Sequence, residues 1–248
     1  MTEQPSGPQA EFSLFQLLPN VLTIAAVGAG LTAIRLGVQG EYTLAVLLIF
    51  AAGILDGIDG RIARLLGTAS KMGAELDSLA DFLNFGVAPP LLLYFWALQD
   101  FRSLGWICVL LFAVCCVIRL ARFNVSTKTE ETQGSSAYFQ GVPSPAGALL
   151  VMLPMYLSFA FADRPVLPPL LICLYMIAIG LLLISRIPTW SFKTTRISRE
   201  NVKFFLVGVA FVGAALLTFA WETLIAICLG YIAIVIWAWI DCEHPSNR

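Results

Sequence analysis

The sequence predicts an all-α, polytopic integral membrane protein with about eight transmembrane helices, on three observations. Of its 248 residues, 58% are hydrophobic and only 12% charged, with a mean hydropathy of +0.83. A soluble domain is about a quarter charged, so this chain has too little charge to cover a water-facing surface. The apolar residues also gather into eight stretches, at 17–38, 43–64, 74–98, 104–125, 144–162, 167–186, 203–220 and 223–240. Each is close to the length of about 20 residues that a helix needs to cross a bilayer. Finally, with a cytoplasmic N-terminus, Arg61, Arg64, Lys71, Arg119, Arg122, Lys128, Arg186, Lys193, Arg196, Arg199, Lys203 and Arg248 fall on the inner side. Only Arg35, Arg102 and Arg164 fall on the outer side. That positive-inside asymmetry sets both termini in the cytoplasm.

In chain order, residues 1–16 read as a short interfacial segment in which Phe12, Leu14 and Phe15 can lie along the membrane surface. Met1 to Phe12 are polar, with neither a basic start nor a small-residue cleavage site, unlike a cleavable signal peptide. Pro19-Asn20 opens the first span, where Gly28 and Gly30 permit close helix packing. The second and third spans carry aspartates at their inner ends, and Gly86, Pro89 and Pro90 interrupt the third. The fourth ends on Arg119 and Arg122 and leads into a polar loop at 124–141; Pro143 and Pro145 open the fifth. A basic loop at 186–203 follows the sixth, and Lys193, Arg196, Arg199 and Lys203 in it suit anionic lipid headgroups. A tight turn near Trp221-Glu222 joins the last two spans. Trp96, Trp106, Trp221, Trp237 and Trp239 fall near span ends as an aromatic belt. Cys108, Cys115, Cys116, Cys173 and Cys228 lie within spans and Cys242 just beyond; they read as small hydrophobes, with no zinc-ligand spacing to histidine. Little sequence remains for a separate soluble domain. The expected organisation is the segment 1–16, a six-helix core at 17–200, and two further helices with a tail at 201–248.

Ionisable groups inside a span are costly and point to function. Asp56 and Asp59 are three residues apart and Asp77 and Asp81 four apart, so each pair shares a helix face. The two helices run in opposite directions over a short link, which lets the pairs meet at one depth. Four carboxylates facing one another in low dielectric cannot all stay ionised without a counter-charge. Divalent cations supply it, and all-oxygen ligation favours magnesium, manganese or calcium. Two cations would balance four aspartates and still attract a diphosphate. Gly60, Ala63 and Gly73 lack bulk where a nucleotide would approach the backbone, and Arg64 can answer its phosphates. Two other readings stay open: aspartates paired with Arg61, Arg64 and Lys71, or a cation or proton relay in a transporter. Relay groups usually lie deeper and along a path.

The string D-x-x-D-G-x-x-A-R-x8-G-x3-D-x3-D, filled here by Asp56, Asp59, Gly60, Ala63, Arg64, Gly73, Asp77 and Asp81, resembles the signature of the CDP-alcohol phosphotransferases. Within that family four stretches look like the bacterial branch whose acceptor is L-serine. They are Asn84-Phe85-Gly86-Val87-Ala88-Pro89, Arg119-Leu120-Ala121-Arg122-Phe123-Asn124, Phe139-Gln140-Gly141-Val142-Pro143-Ser144-Pro145-Ala146 and Ser185-Arg186-Ile187-Pro188-Thr189. The resemblance implies attack of the serine hydroxyl on the lipid-linked phosphorus of CDP-diacylglycerol, giving phosphatidylserine and CMP. It further implies two divalent cations, Mg2+ or Mn2+, held by Asp56, Asp59, Asp77 and Asp81, with Asp81 also the proton acceptor. Gly60, Ala63, Arg64, Ser70 and Gly73 would contact CDP-diacylglycerol. The implied partners are the lipid bilayer and a second copy in a homodimer, with no nucleic acid. The implied setting is the cytoplasmic (inner) membrane, with the site facing the cytoplasm.

Serine brings a carboxylate of its own, so its pocket needs a cation beside the metals. Arg119, Arg122 and Arg186 are the candidates, and Arg122 with Asn124 is the preferred pair. His244, the only histidine, lies in the tail and does not supply a base. The same chemistry with choline, inositol or glycerol 3-phosphate is the nearest alternative. Choline would favour an aromatic cage, and a phosphorylated acceptor a denser basic cluster.

Overall fold

The computed structural model describes residues 14–67, 70–133, 141–161, 165, 167–185 and 202–243. Among them every regular element is helical: α1 (Leu14–Val38), α2 (Tyr42–Leu66), α3 (Lys71–Asp81), a π-helical turn (Phe82–Val87), α4 (Ala88–Ala97), a 3₁₀ turn (Gln99–Phe101), α5 (Arg102–Gln133), α6 (Ser144–Val151), α7 (Leu153–Phe161), α8 (Pro169–Ile184), α9 (Val202–Thr218) and α10 (Ala220–Glu243). Six stretches are long and apolar enough to cross a membrane: Leu17–Val38, Tyr42–Leu66, Lys71–Ala97, Gln99–Ser126, Ser144–Phe161 and Ala220–Ala238. The chain is therefore a multi-pass membrane protein. The sixth and seventh of the eight expected spans correspond to the shorter apolar helices Pro169–Ile184 and Leu206–Thr218. At about 1.5 Å per residue, the 16 residues of α8 fall short of a hydrocarbon core of about 30 Å.

Three local expectations change. The helix of the first span starts at Leu14 and runs through Pro19 rather than opening on it. Pro19, the sixth residue of the helix, removes the one N–H that would bond Phe15 O, and the helix continues past it. The third span is interrupted without being cut: the α-helix gives way after Asp81 to a π turn that contains Gly86, and Pro89 and Pro90 are absorbed in the first turn of α4. The fourth helix continues to Gln133, past the expected end at 125, because no glycine or proline interrupts the polar stretch that follows. Of the expected tryptophan belt, Trp106 and Trp237 face outward. Trp221 instead turns inward, stacking on Tyr156 at 6.3 Å and meeting Phe159 edge-on at 4.9 Å.

Lipid offers apolar side chains no less comfort than a protein interior, so packing and close approach hold such helices together. α1 packs along α2 and also meets α3, the π turn and α4. Its inward stripe is small: Thr23, Ala26, Gly30, Ala33 and Gly37 are all buried. A Cβ on Gly30 would collide with the Asn84 side chain of the π turn, and one on Gly37 with Leu92 of α4. Gly28 faces open space, so of the two expected packing glycines only Gly30 serves. On the other side α5 packs on α8, and α10 on α7 and α9. Fully buried Phe112, Leu92, Met155, Tyr156 and Met176 fill the middle.

The α2–α3 hairpin is set by its caps. Gly67, at φ 63°, closes α2 by donating its N–H to Ala63 O and Arg64 O. Ser70 opens α3, its Oγ accepting from Gly73 N at 2.9 Å.

The close approach at Gly30 yields a paired expectation. Gly30→Ala should destabilise the protein by about 1–3 kcal/mol through overpacking, read as a lowered melting temperature in detergent. Gly28→Ala should leave it unchanged.

Candidate active site

The final turns of α2 carry Asp56 and Asp59, and α3 carries Asp77 and Asp81; the capped hairpin sets them face to face. One carboxylate oxygen each of Asp56, Asp59 and Asp77 lies within 4.8 Å of the other two. The Asp81 carboxyl meets that of Asp56 at hydrogen-bonding distance. Asp59 is buried, at 2% exposure, and its Oδ2 accepts a hydrogen bond of 2.6 Å from Thr23 Oγ1 on α1. The Oδ1 atoms of Asp56, Asp59 and Asp81 are buried with no hydrogen-bond partner. None of the four is ion-paired among the described residues, so pairing with Arg61, Arg64 or Lys71 does not account for them.

Unpartnered carboxylate oxygens in a low-dielectric site are strongly unfavourable unless a cation binds them. Three oxygens this close, with orphaned atoms among them and no nitrogen or sulfur donor in the set, fit a hard divalent ion. The cluster could therefore hold a metal, with Asp81 at its edge.

Around it, Gly60 faces open space, as the approach of a ligand to the backbone requires. Ala63 is half-buried, and Arg64 is exposed with its Nε donating to Gly60 O at 2.9 Å. Ser70 is occupied as the cap of α3. Gly73 sits under Asn20 of α1, whose Oδ1 would lie 3.0 Å from an added Cβ.

The candidate acceptor residues separate. Arg119 lies within electrostatic reach of Asp81 and is anchored by Nε to Val142 O at 2.6 Å and Nη1 to Ser144 Oγ at 3.0 Å. Arg122 turns away, its Nη1 donating to Ile184 O at the end of α8 at 2.8 Å. Asn124 turns towards α3, donating through Nδ2 to Ser78 Oγ at 3.0 Å. The preferred pair Arg122 and Asn124 is thus not brought together. Arg186, with the headgroup candidates Lys193, Arg196 and Arg199, lies outside the described residues; Lys203 is exposed.

Sequence reasoning missed Thr23, Asn20, Ser78, Ser144 and Asn84. Asn84 is fully buried, with both amide atoms unpartnered, on the π turn just past Asp81. π turns concentrate at functional sites. The available signal was polarity within apolar spans, as in Pro19-Asn20 followed by Thr23.

The model of the CDP-alcohol phosphatidyltransferase family matches residues 16–242. A CDP-diacylglycerol–serine O-phosphatidyltransferase of Mycobacterium leprae (strain TN) is 38% identical over 99% of this chain and 83% of its own length. Proteins of the same name are 37% identical in Helicobacter pylori (strain ATCC 700392 / 26695), over 79% of both chains, and 36% identical in Bacillus subtilis (strain 168), over 71% of this chain and 91% of that one.

Carboxyl groups crowded with no ion-pair partner among the described residues should make folding stability depend on divalent ions. Millimolar Mn2+ or Mg2+ should raise the melting temperature of the purified protein by several degrees over EDTA, through preferential binding to the folded state. Asp59→Asn or Asp77→Asn should abolish most of that rise.

Proposed function

The chain belongs to the CDP-alcohol phosphatidyltransferase family, and from that membership we propose that it transfers the phosphatidyl group of CDP-diacylglycerol to L-serine. The products are phosphatidylserine and CMP, which makes it a transferase of phospholipid biosynthesis. Its relatives' activity over nearly the whole chain supports serine as acceptor. The observation that carries the chemistry is the group of three aspartate oxygens within 4.8 Å, filling the family signature on two antiparallel helices.

In this reading Asp56, Asp59, Asp77 and Asp81 hold two divalent cations, Mg2+ or Mn2+. When bound, such ions neutralise charge developing on the diphosphate and make CMP a better leaving group. Asp81 accepts the proton of the serine hydroxyl as its oxygen forms the new bond to the lipid-linked phosphorus. The bond from that phosphorus to the CMP oxygen breaks. A carboxylate near cations is a weak base, so the advantage of Asp81 is position. Gly60 and Ala63 give the nucleotide room, and Gly73 lets Asn20 approach beside them; Arg64 faces its phosphates, and Ser70 shapes the turn beneath it.

Arg119 receives the serine carboxylate. Two of its five N–H donors are fixed on Val142 and Ser144, which orients the guanidinium and leaves donors for a bound anion. Arg122, on the α8 carbonyl, and Asn124, on Ser78, then support the walls of that pocket, and Arg186 is a further acceptor-side candidate. Eight passes with both termini in the cytoplasm, supported by the lysine and arginine asymmetry, put the site at the cytoplasmic face of the inner membrane. Residues 17–200 form the catalytic core, 201–248 append two helices, and the protein works as a homodimer.

Two measurements test this reading. Purified protein with CDP-diacylglycerol, Mn2+ and one alcohol at a time should release CMP with L-serine and far less with choline, inositol or glycerol 3-phosphate. A product with inositol or choline but none with serine would overturn the acceptor assignment. Asp81→Asn should lower kcat by at least about a hundredfold while largely sparing CDP-diacylglycerol binding. Unchanged turnover would remove Asp81 from the base role.

A further inference from the structure

We infer that Thr23, on α1, is a positioning residue that sets the metal affinity of the aspartate cluster by fixing the carboxylate of Asp59. The inference rests on the metal-binding reading of that cluster. It starts from one hydroxyl proton and two acceptors. Thr23 Oγ1 lies 3.0 Å from Pro19 O within its own helix and 2.6 Å from Asp59 Oδ2 across the α1–α2 interface. An O–H···O⁻ bond to an ionised carboxylate is normally about 2.5–2.7 Å and roughly twice as strong as a neutral one, so the proton goes to Asp59.

Burial makes that contact consequential. Thr23 is 3% exposed and Asp59 2%, so no water competes for either group. With Oδ2 tied to α1, the carboxylate of Asp59 cannot turn freely about its last bond. Its Oδ1, buried and unpartnered, is left as the free atom of the residue that joins Asp56 and Asp77 in the cluster. Ligand carboxylates held in this way by an outer hydrogen bond bind metal more tightly, because their orientation is fixed before the ion arrives. α1 reinforces the arrangement one turn earlier, where Asn20 lies over Gly73 at the start of α3. A single helix thus braces both halves of the aspartate hairpin. The hydroxyl matters here and the methyl does not, so serine should replace threonine whereas valine should not.

The test uses the full-length protein in detergent and Mn2+ alone as probe, with free ion counted by electron paramagnetic resonance. Thr23→Val should raise the Mn2+ dissociation constant about tenfold, at the lower end of outer-sphere effects, while the loss of one buried hydrogen bond lowers the melting temperature in EDTA only slightly. Thr23→Ser should restore wild-type affinity. In the Asp59→Asn background, Thr23→Val should add nothing, because the two residues act as one unit. In turnover assays Thr23→Val should raise the Mn2+ concentration for half-maximal rate and leave the KM for serine unchanged. Should Thr23→Val fold poorly, Thr23→Ala carries the same expectation. Wild-type affinity in Thr23→Val or Thr23→Ala, or an equal loss in the Asp59→Asn background, overturns the inference. A wild-type protein that does not bind Mn2+ overturns instead the metal reading on which it rests.

Discussion

Mutual repulsion among four aspartate carboxyl groups, gathered with no ion-pair partner among the described residues, is the constraint around which the rest of this structure is arranged. At an effective dielectric of about 20, two unit charges 4 Å apart interact by about 4 kcal/mol, and several such pairs crowd one small volume here. A fold of ordinary stability, about 5–15 kcal/mol, does not keep such a cluster fully ionised unless something positive completes it. Three orphaned carboxylate oxygens, on Asp56, Asp59 and Asp81, mark where that positive charge belongs. A hard divalent cation held by these oxygens would settle that repulsion.

The local sequence around the aspartates is built to hold that arrangement. Gly67 ends α2 in the left-handed conformation and Ser70 restarts the chain as a helix cap, so the turn is short and its two arms are antiparallel. Small residues along α1 let it approach α2 and the π turn closely, which brings the Thr23 hydroxyl to Asp59. The same closeness presses Gly30 against Asn84, so the metal-side brace and the packing of the third span depend on one helix face. Rigidity in the supporting helix becomes order in the carboxylates.

The structure separates two arginines that look equivalent in sequence. Arg119 and Arg122 are three positions apart, yet one is anchored on Val142 and Ser144 within electrostatic reach of Asp81 while the other holds the end of α8. An arginine tied at two nitrogens presents its remaining donors with little ordering left to do. Asn124, bonded to Ser78 between Asp77 and Asp81 on α3, ties α5 to the aspartate helix. That hydrogen bond joins α5 mechanically to the helix that carries Asp77 and Asp81.

The sequence alone determined that the protein crosses a membrane many times, roughly where each helix lies, and that four aspartates share two facing helix surfaces. These are local properties: hydropathy over about 20 residues, spacings of three and four, and charge asymmetry between loops. It also carried the family signature, because those eight positions lie within one hairpin. The tertiary structure alone decided which remote polar groups complete the site. Thr23 stands 36 residues from Asp59 in the chain, and nothing in its own neighbourhood says that α1 rotates it towards that carboxylate. Likewise the anchoring of Arg119 on Val142 and Ser144 and of Arg122 on Ile184, and the pairing of Asn124 with Ser78, follow from how helices rotate and cross. Rotation and crossing are fixed by side chains of other helices, which a single stretch of sequence does not contain.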